Sequence, residues 1–248
     1  MDLESRIIYG PIWTRRFGWD IGVNLLPITH KLCTFDCIYC QYGPSSPHGK
    51  SCFPSPDEVL SELSAMWESC INTTSENLHL TVAGNGEPTM HPDFPEIVHK
   101  IIEWRNSNAP TLRLALLLNG YRIYQPEIRE AMTFFDEPIV KLDCAIPQKI
   151  TSVNRPIFLF QLDRFIEDLK KFKRIIIQTM FVKGYNDGLH DLREWMEALK
   201  KIHPSEVQIY TISRTPPNPV WPISNQELQA IANVTTTLIG IPVHAYYS

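Results

Sequence analysis

The chain alternates short apolar runs rich in β-branched residues with longer amphipathic runs, and this alternation strongly limits the folds open to it. Six strand–helix units follow one another, which predicts a parallel sheet with right-handed crossovers. The predicted strands are residues 21–26, 78–83, 112–118, 139–143, 174–181 and 206–212, with a short seventh at 242–247. The predicted helices are residues 56–69, 93–105, 125–134, 158–171, 189–201 and 225–239.

Six units fall short of the eight that close a (β/α)8 barrel, so an open doubly wound sheet and a partial barrel both fit. The 248 residues and a hydrophobic fraction of 44% suit a single α/β domain over residues 1–248. We expect residues 1–18 to form an N-terminal extension and residues 214–248 to supply a loop, a helix and the last strand. In either architecture the reactive site lies at the carboxyl ends of the strands.

Charge and hydropathy restrict which classes of protein and which cellular compartments fit this sequence. No apolar run approaches the roughly 20 residues of a membrane span, and the first ten residues are too polar for a signal peptide. The formal net charge of −4 excludes an overall basic field of the kind that attracts nucleic acid. These features predict a cytoplasmic protein, and in that reducing compartment clustered cysteines indicate metal ligands more often than disulfides.

Three of the six cysteines lie within eight residues, directly after the first predicted strand. They are Cys33, Cys37 and Cys40, in the spacing Cys-x3-Cys-x2-Cys. Three thiolates so close can wrap a [4Fe–4S] cluster, which ordinarily takes four cysteine ligands, and the open fourth iron favours chemistry over simple electron transfer. A structural zinc site needs four ligands and would have to recruit Cys52 or His30. An iron–sulfur or zinc protein used for binding or sensing is therefore the non-catalytic alternative.

This spacing resembles the signature of the radical SAM superfamily, whose members fold as a full or partial (β/α) barrel. The resemblance implies an α/β fold of the partial (β/α)6 barrel type, with three irons of a [4Fe–4S] cluster bound by Cys33, Cys37 and Cys40. It also implies that S-adenosylmethionine chelates the fourth iron and is cleaved reductively to methionine and a 5′-deoxyadenosyl radical, which abstracts hydrogen. Tyr39, the aromatic residue before the last cysteine, would then lie near the adenine.

A second motif, Gly-Asn-Gly-Glu-Pro, follows the second predicted strand at residues 84–88. Its glycines let the backbone approach a ligand closely, and Glu87 offers a carboxylate at a strand end. Standing alone, the motif also fits a tight turn before the next helix. It resembles the superfamily's Gly-Gly-Glu element, which implies that Gly86 and Glu87 hold the amino group of S-adenosylmethionine.

Polar residues also end the later strands. By the same resemblance Asn119 and Asp143 contact the ligand. The simpler roles are a left-handed turn residue for Asn119, and a helix cap or ion-pair partner for Asp143. We expect Gln178 to face the barrel mouth, and Asn186 and Asp187 to cap the helix that follows.

The N-terminal region narrows the resemblance to one branch of the superfamily. The segments at residues 9–11, 15–18, 22–27 and 154–156 resemble wyosine-type tRNA-modifying synthetases and their short bacterial relatives. The archaeal synthetases carry a second cluster on N-terminal cysteines, but no cysteine precedes Cys33 here, and the chain has no dense basic run. The resemblance to these synthetases is therefore not taken to imply a tRNA substrate for this chain.

The resemblance implies an electron donor such as flavodoxin or ferredoxin and no membrane partner. It leaves the oligomeric state and the substrate open. A partial barrel without an added domain has an open lateral mouth, which suits a large substrate such as a protein, a peptide or an RNA. A glycyl-radical activating enzyme is the alternative among enzymes, because it has a similar length and cluster spacing.

Overall fold

The structure, a computed structural model, describes residues 2–46, 51–70 and 78–247. Its strands form one eight-stranded sheet in which each strand pairs with its neighbours in the chain. The strands are β1 Ile8–Thr14, β2 Gly18–Val23, β3 His79–Val82, β4 Arg113–Leu118, β5 Glu137–Lys141, β6 Ile176–Phe181, β7 Glu206–Thr211 and β8 Val243–Tyr246. β1 runs antiparallel to β2, and every later pair is parallel.

Helices connect the parallel strands through six crossovers and cover the outer face of the curled sheet. They are α1 Pro56–Cys70, α2 Phe94–Asn108, α3 Pro126–Met132, α4 Pro147–Val153, α5 Leu162–Leu169, α6 Leu189–Ile202 and α7 Asn225–Ile239. Within the described ranges, no helix is both long and apolar enough to cross a membrane. The sheet and its helices form the partial barrel that the sequence predicts.

The two faces of the sheet bury different side chains. In β4, Leu114, Leu116 and Leu118 belong to the large apolar core between the sheet and the helices. Ala115 and Leu117 point the other way, into the concave face, because side chains alternate along a strand. The concave face is the more polar one and carries the groups of the candidate site.

The first strand and one helix were missed from sequence. Residues 1–18 are not only an extension, because β1 occupies residues 8–14 and forms a hairpin with β2. Gly10 and Pro11 interrupt β1, and the pairing shifts between Tyr9 and Ile12, so the strand lacks the regular alternation on which the prediction relied. Helix α4 was also missed, and the helix predicted at residues 158–171 is confined to α5.

Candidate active site

The cysteine loop follows β2 and lies directly beside the loop that follows β3. The Leu32 amide donates to the Asn85 carbonyl at 2.9 Å, and the Glu87 amide donates to the Leu32 carbonyl at 3.0 Å. Gly86 has a φ of 144°, and a Cβ added there would lie 1.8 Å from the Leu32 carbonyl oxygen. The two loops can therefore approach this closely only because residue 86 is glycine.

A second segment, after α4, holds the other side of the cysteine loop. The Asp36 amide donates to the Arg155 carbonyl at 3.0 Å, and the Ile38 amide donates to the Val153 carbonyl at 2.9 Å. Arg155 itself takes a left-handed φ of 45°. This segment contains one of the motifs that suggested the branch of the superfamily, and its backbone positions the loop.

Two of the three thiols receive a side-chain amide. Asn119 Nδ2 lies 3.4 Å from Cys33 Sγ, and Asn154 Nδ2 lies 3.5 Å from Cys37 Sγ. Cys33 is buried, while Cys37 and Cys40 are half-buried. Burial raises the pKa of the Cys33 thiol above its ordinary value and that of Cys37 to about 11. Amide donors of this kind favour thiolates over thiols and so suit metal ligands.

A buried cation sits behind the same loop. The Lys31 ammonium donates to the Gly43 carbonyl at 2.8 Å and lies 3.3 Å from Asp36 Oδ1. Burial by itself lowers the pKa of Lys31, but the charges of the three loop cysteines and of Asp36 outweigh it and raise the pKa. The structure therefore brings all three predicted cysteines into the field of one lysine.

The thiols do not converge on one point. In the part of the chain that the structure describes, no three His, Cys, Asp or Glu side chains could hold a single metal ion. Cys52, a candidate fourth zinc ligand, is exposed, and the His30 ring contacts the Thr29 and Ser51 hydroxyls. A tetrahedral zinc ion needs four donors on one centre, whereas a cubane binds each thiolate at a different iron. The donor set therefore fits a [4Fe–4S] cluster better than zinc.

Glu87 is a buried carboxylate that links two strand ends. Its Oε1 accepts from the Thr89 hydroxyl at 2.6 Å, and its Oε2 accepts from the Asn119 amide at 2.7 Å. Burial raises the pKa of Glu87 to about 7, although these hydrogen bonds oppose the shift. Each oxygen has a further lone pair with which it can accept from a ligand.

Asn119 joins the end of β4 to the cysteine loop. Its Nδ2 donates to the Thr34 hydroxyl at 2.8 Å as well as to the Cys33 sulfur, and its Oδ1 accepts from the Tyr121 amide at 2.9 Å. The left-handed turn residue is the neighbouring Gly120, with a φ of 77°. The simpler alternative for Asn119 was therefore wrong, because glycine occupies that conformation at less steric cost.

Asp143 is surrounded by protein donors. Its Oδ1 accepts from the Met180 amide at 2.7 Å and lies 3.3 Å from the Lys141 ammonium. Its Oδ2 accepts from Asn154 Nδ2 at 2.6 Å and from the Tyr39 hydroxyl. The ion-pair alternative is thus confirmed, and these contacts make Asp143 the group that orients Tyr39 and Asn154.

Lys141 is a site residue that sequence reasoning missed. Its ammonium lies 5.0 Å from the centre of the Tyr39 ring and 4.8 Å from that of Tyr210, and it donates to the Tyr210 hydroxyl at 2.6 Å. Burial lowers the pKa of Lys141, but Asp143 and Tyr210 outweigh that effect and keep it a cation. The available signal was a lysine inside the strand predicted at residues 139–143, two residues before Asp143.

Gln178 pairs in register with Lys141, and its side chain is buried beside Gln208, to which it donates at 3.3 Å. The prediction that Asn186 and Asp187 cap the next helix was wrong. Helix α6 is preceded by Gly188, and Asn186 Nδ2 instead donates to the carbonyls of Asp143 and Met180. Asn186 therefore holds the loop after β6 against Asp143, which follows β5.

Sequence comparisons find relatives that include UPF0026 proteins, a protein named GTPase Obg and GTP 3′,8-cyclases, while no family model matches the chain. A UPF0026 protein of Helicobacter pylori strain J99 is 29% identical over 84% of this chain and 67% of its own length. A UPF0026 protein of Synechocystis is 27% identical over 98% of this chain and 97% of its own length. A GTP 3′,8-cyclase of Tolumonas auensis is 26% identical over 75% of this chain and 52% of its own length.

The comparison of folds identifies the architecture more clearly than the sequence comparison does. A radical SAM methyltransferase from Sphaerobacter thermophilus superposes with a TM-score of 0.73 over 92% of this chain, at 15% identity. The chain has the radical SAM fold. TYW1 with a lysine–pyruvate adduct shares this radical SAM fold with a TM-score of 0.63 over 88% of this chain and 73% of its own, at 16% identity.

The match is partial in length for several of these proteins. The chain spans 66% of the methyltransferase and about half of the cyclase. Together, these neighbours give this chain its fold, and the cyclase relative matches it over part of its length.

Proposed function

We propose that this chain binds a [4Fe–4S] cluster on Cys33, Cys37 and Cys40 and cleaves S-adenosylmethionine reductively. The observation that carries the proposal is the donor set. Three thiols lie on one loop that is held on both sides by backbone hydrogen bonds, and two of them receive a side-chain amide N–H. When bound, the cluster supplies one electron to the sulfonium of S-adenosylmethionine, which yields methionine and a 5′-deoxyadenosyl radical.

The chain's own residues hold the ligands. The side chains of Asn119 and Asn154 donate to thiolate sulfur, and the ammonium of Lys31 offsets the negative charge of the loop. Gly86 lets the two loops meet, and Glu87 accepts a charge-assisted hydrogen bond from the amino group of S-adenosylmethionine.

Tyr39 lies beside the adenine in this proposal. Asp143 accepts from its hydroxyl, and the Lys141 ammonium lies over its ring, so the ring has one defined orientation. These residues would hold the cofactor beside the interior of the half-barrel, where a bound substrate would lose hydrogen. The electron comes from a partner protein such as flavodoxin or ferredoxin.

Iron content tests the ligand assignment. Protein prepared and reconstituted without oxygen should hold about four irons per chain, the content of one cubane. The Cys37→Ala variant should lose the cluster, whereas Cys70→Ala is the matched control, because Cys70 is a buried cysteine at the end of α1. Equal iron loss in both variants would overturn the assignment, and about eight irons would show a second cluster.

Cofactor cleavage tests the activity. Reduction of the loaded protein with dithionite in the presence of S-adenosylmethionine should form 5′-deoxyadenosine, and Cys37→Ala should form none. The Glu87→Ala variant should keep its iron but bind S-adenosylmethionine roughly 10- to 150-fold more weakly, the range for a lost charged hydrogen bond. A fully loaded wild-type protein that forms no 5′-deoxyadenosine would point instead to a binding or sensing protein.

A further inference from the structure

The turn between β1 and β2 reaches the opposite edge of the half-barrel. Arg15 Nη2 donates to the Ser213 hydroxyl at 2.8 Å, and Arg15 Nη1 donates to the Tyr247 carbonyl. Ser213 follows β7 and Tyr247 follows β8, the last strand of the sheet. Because β1 and β8 are the two edges of the sheet, Arg15 bridges the open side of the half-barrel.

Two residues further on, Phe17 fills the concave face. It is buried against Ala115, Ile139 and Ile176, which point inward from three strands. Its ring also stacks on His79, with 4.8 Å between the ring centres. Arg16 lies between these two anchored residues, so its backbone is held in the turn just before β2.

The guanidinium of Arg16 has no polar partner in the described residues. Its Nη1 is buried and makes no hydrogen bond, and no carboxylate oxygen of those residues lies within 4.0 Å of it. The guanidinium carbon of Arg16 lies 5.2 Å from the centre of the Phe17 ring. Arg16 as a whole is half-buried, and arginine stays charged in proteins, so the buried end of this side chain is a cation without a partner, an arrangement that costs free energy.

The nearest acids are engaged elsewhere. Asp20 accepts from the Thr81 hydroxyl at 2.8 Å, and Glu137 pairs with Arg113 at 2.7 Å. Both act on Arg16 only as more distant charges. The donors of the guanidinium fork therefore remain available to a group that enters the interior.

Arg16 faces the same interior as the candidate site. Its guanidinium lies over the ring of Phe17, which packs on Ile139 in the concave face, and Lys141 lies two residues further along the same strand and on the same face. Lys141 in turn lies over the ring of Tyr39, in the cysteine loop. The positive charge of Lys141 is balanced by Asp143, whereas that of Arg16 is not.

We propose that Arg16 binds an anionic group of the substrate, a carboxylate or a phosphate, inside the half-barrel. The inference rests on the proposed function, because it assumes that a substrate enters this chamber. A guanidinium presents a planar fork of donors that matches two oxygens of either anion. The class of substrate is thereby restricted to molecules that carry such a group on the part that enters the barrel.

Binding of two simple anions tests the assignment. Calorimetric titration of the full chain with inorganic phosphate and with acetate should show binding of at least one, and the tighter of the two identifies the group. Arg16→Gln should weaken that binding roughly 10- to 150-fold or abolish it. Arg16→Lys, which keeps the charge and loses the fork, should fall between them. Arg193→Gln is the matched control, because Arg193 is exposed on α6, and it should bind as the wild type does.

Folding of the variant is checked by its thermal midpoint. Since Arg16→Gln removes an unpaired buried cation, its midpoint without added anion should equal or exceed that of the wild type. No anion binding by the wild type, or equal binding by Arg16→Gln, would overturn the proposal. The titration uses neither S-adenosylmethionine nor reductant, so absence of 5′-deoxyadenosine counts against the proposed function alone.

Discussion

At the scale of single residues, the site is built from buried polar groups that hold one another. Asp143 accepts three hydrogen bonds and pairs with Lys141, and Glu87 accepts two hydrogen bonds, so both carboxylates have defined orientations. Burial makes such groups costly when their partners are removed, because an unsatisfied buried polar group loses its hydration without compensation. For Glu87, whose pKa burial raises, protonation is therefore coupled to the stability of the fold.

Glu87 should make stability depend on pH. Its pKa is about 7 in the fold against an ordinary 4.5, so the fold favours the protonated acid. The corresponding stabilisation is present below about pH 4.5 and is lost as the pH rises through 7. Glu87→Gln, which mimics the protonated acid, should therefore exceed the wild type in unfolding free energy at pH 8 by up to about 3 kcal/mol.

Denaturant unfolding at pH 5 and pH 8 measures this difference. Glu167→Gln is the control, because Glu167 is an exposed acid paired with Lys170 and should leave the pH dependence unchanged. A Glu87→Gln variant that loses stability with rising pH as steeply as the wild type would contradict the expectation.

At the scale of elements, local sequence signals predicted helix boundaries well where their partners are near in the chain. Helix α7 has the bounds predicted for it, residues 225–239, and the Ser-x-x-Glu pattern at Ser224 and Glu227 forms a capping box at its start. Asn186 and Asp187 do not cap the next helix as predicted, because the side chain of Asn186 instead donates hydrogen bonds at two strand ends. Local rules therefore hold until a tertiary partner competes for the same side chain.

The junction of the two loops should depend on Gly86. Gly86→Ala would place a Cβ 1.8 Å from the Leu32 carbonyl oxygen at a φ that disfavours side chains. Adding typical costs for overpacking and for left-handed backbone, we expect a loss of about 3 kcal/mol and a displaced cysteine loop. Unfolding free energy and iron content after reconstitution measure the two effects.

Gly184→Ala is the matched control for that substitution. Gly184 also has a positive φ, 77°, but an added Cβ meets nothing within 4 Å. Its cost should be the backbone term alone, about 1–2 kcal/mol, with iron content unchanged. Similar iron loss in both variants would mean that close contact at Gly86 does not position the cysteines.

At the scale of the whole molecule, the N-terminal hairpin completes the half-barrel. Phe17 is a large side chain among the few apolar residues of the concave face, so Phe17→Ala should leave a cavity there. We expect it to lower the unfolding free energy by about 3–5 kcal/mol. Trp13→Ala on the same hairpin should cost about 0.5 kcal/mol, because Trp13 is 68% exposed. Equal losses in chemical denaturation would show that Phe17 does not fill the interior.

The sequence alone determined the alternation of strands and helices, the parallel sheet and the position of the three cysteines after the first of the parallel strands. These features follow from local hydrophobic periodicity and residue spacing, which the chain carries without reference to distant segments. The choice of a partial barrel over an open doubly wound sheet came from the resemblance in the cysteine spacing. The β1–β2 hairpin was not predicted because Gly10 and Pro11 break the hydrophobic periodicity of β1, although β1 pairs extensively with β2.

Only the tertiary structure decided which polar groups meet. Tyr39 and Asp143 are 104 positions apart in the chain, and Arg15 and Tyr247 are 232 apart, yet each pair is hydrogen-bonded. Such contacts depend on the curvature and register of the whole sheet, which no local pattern encodes. The unpaired state of Arg16 emerged for the same reason, because a missing partner is visible only when every neighbour has its place.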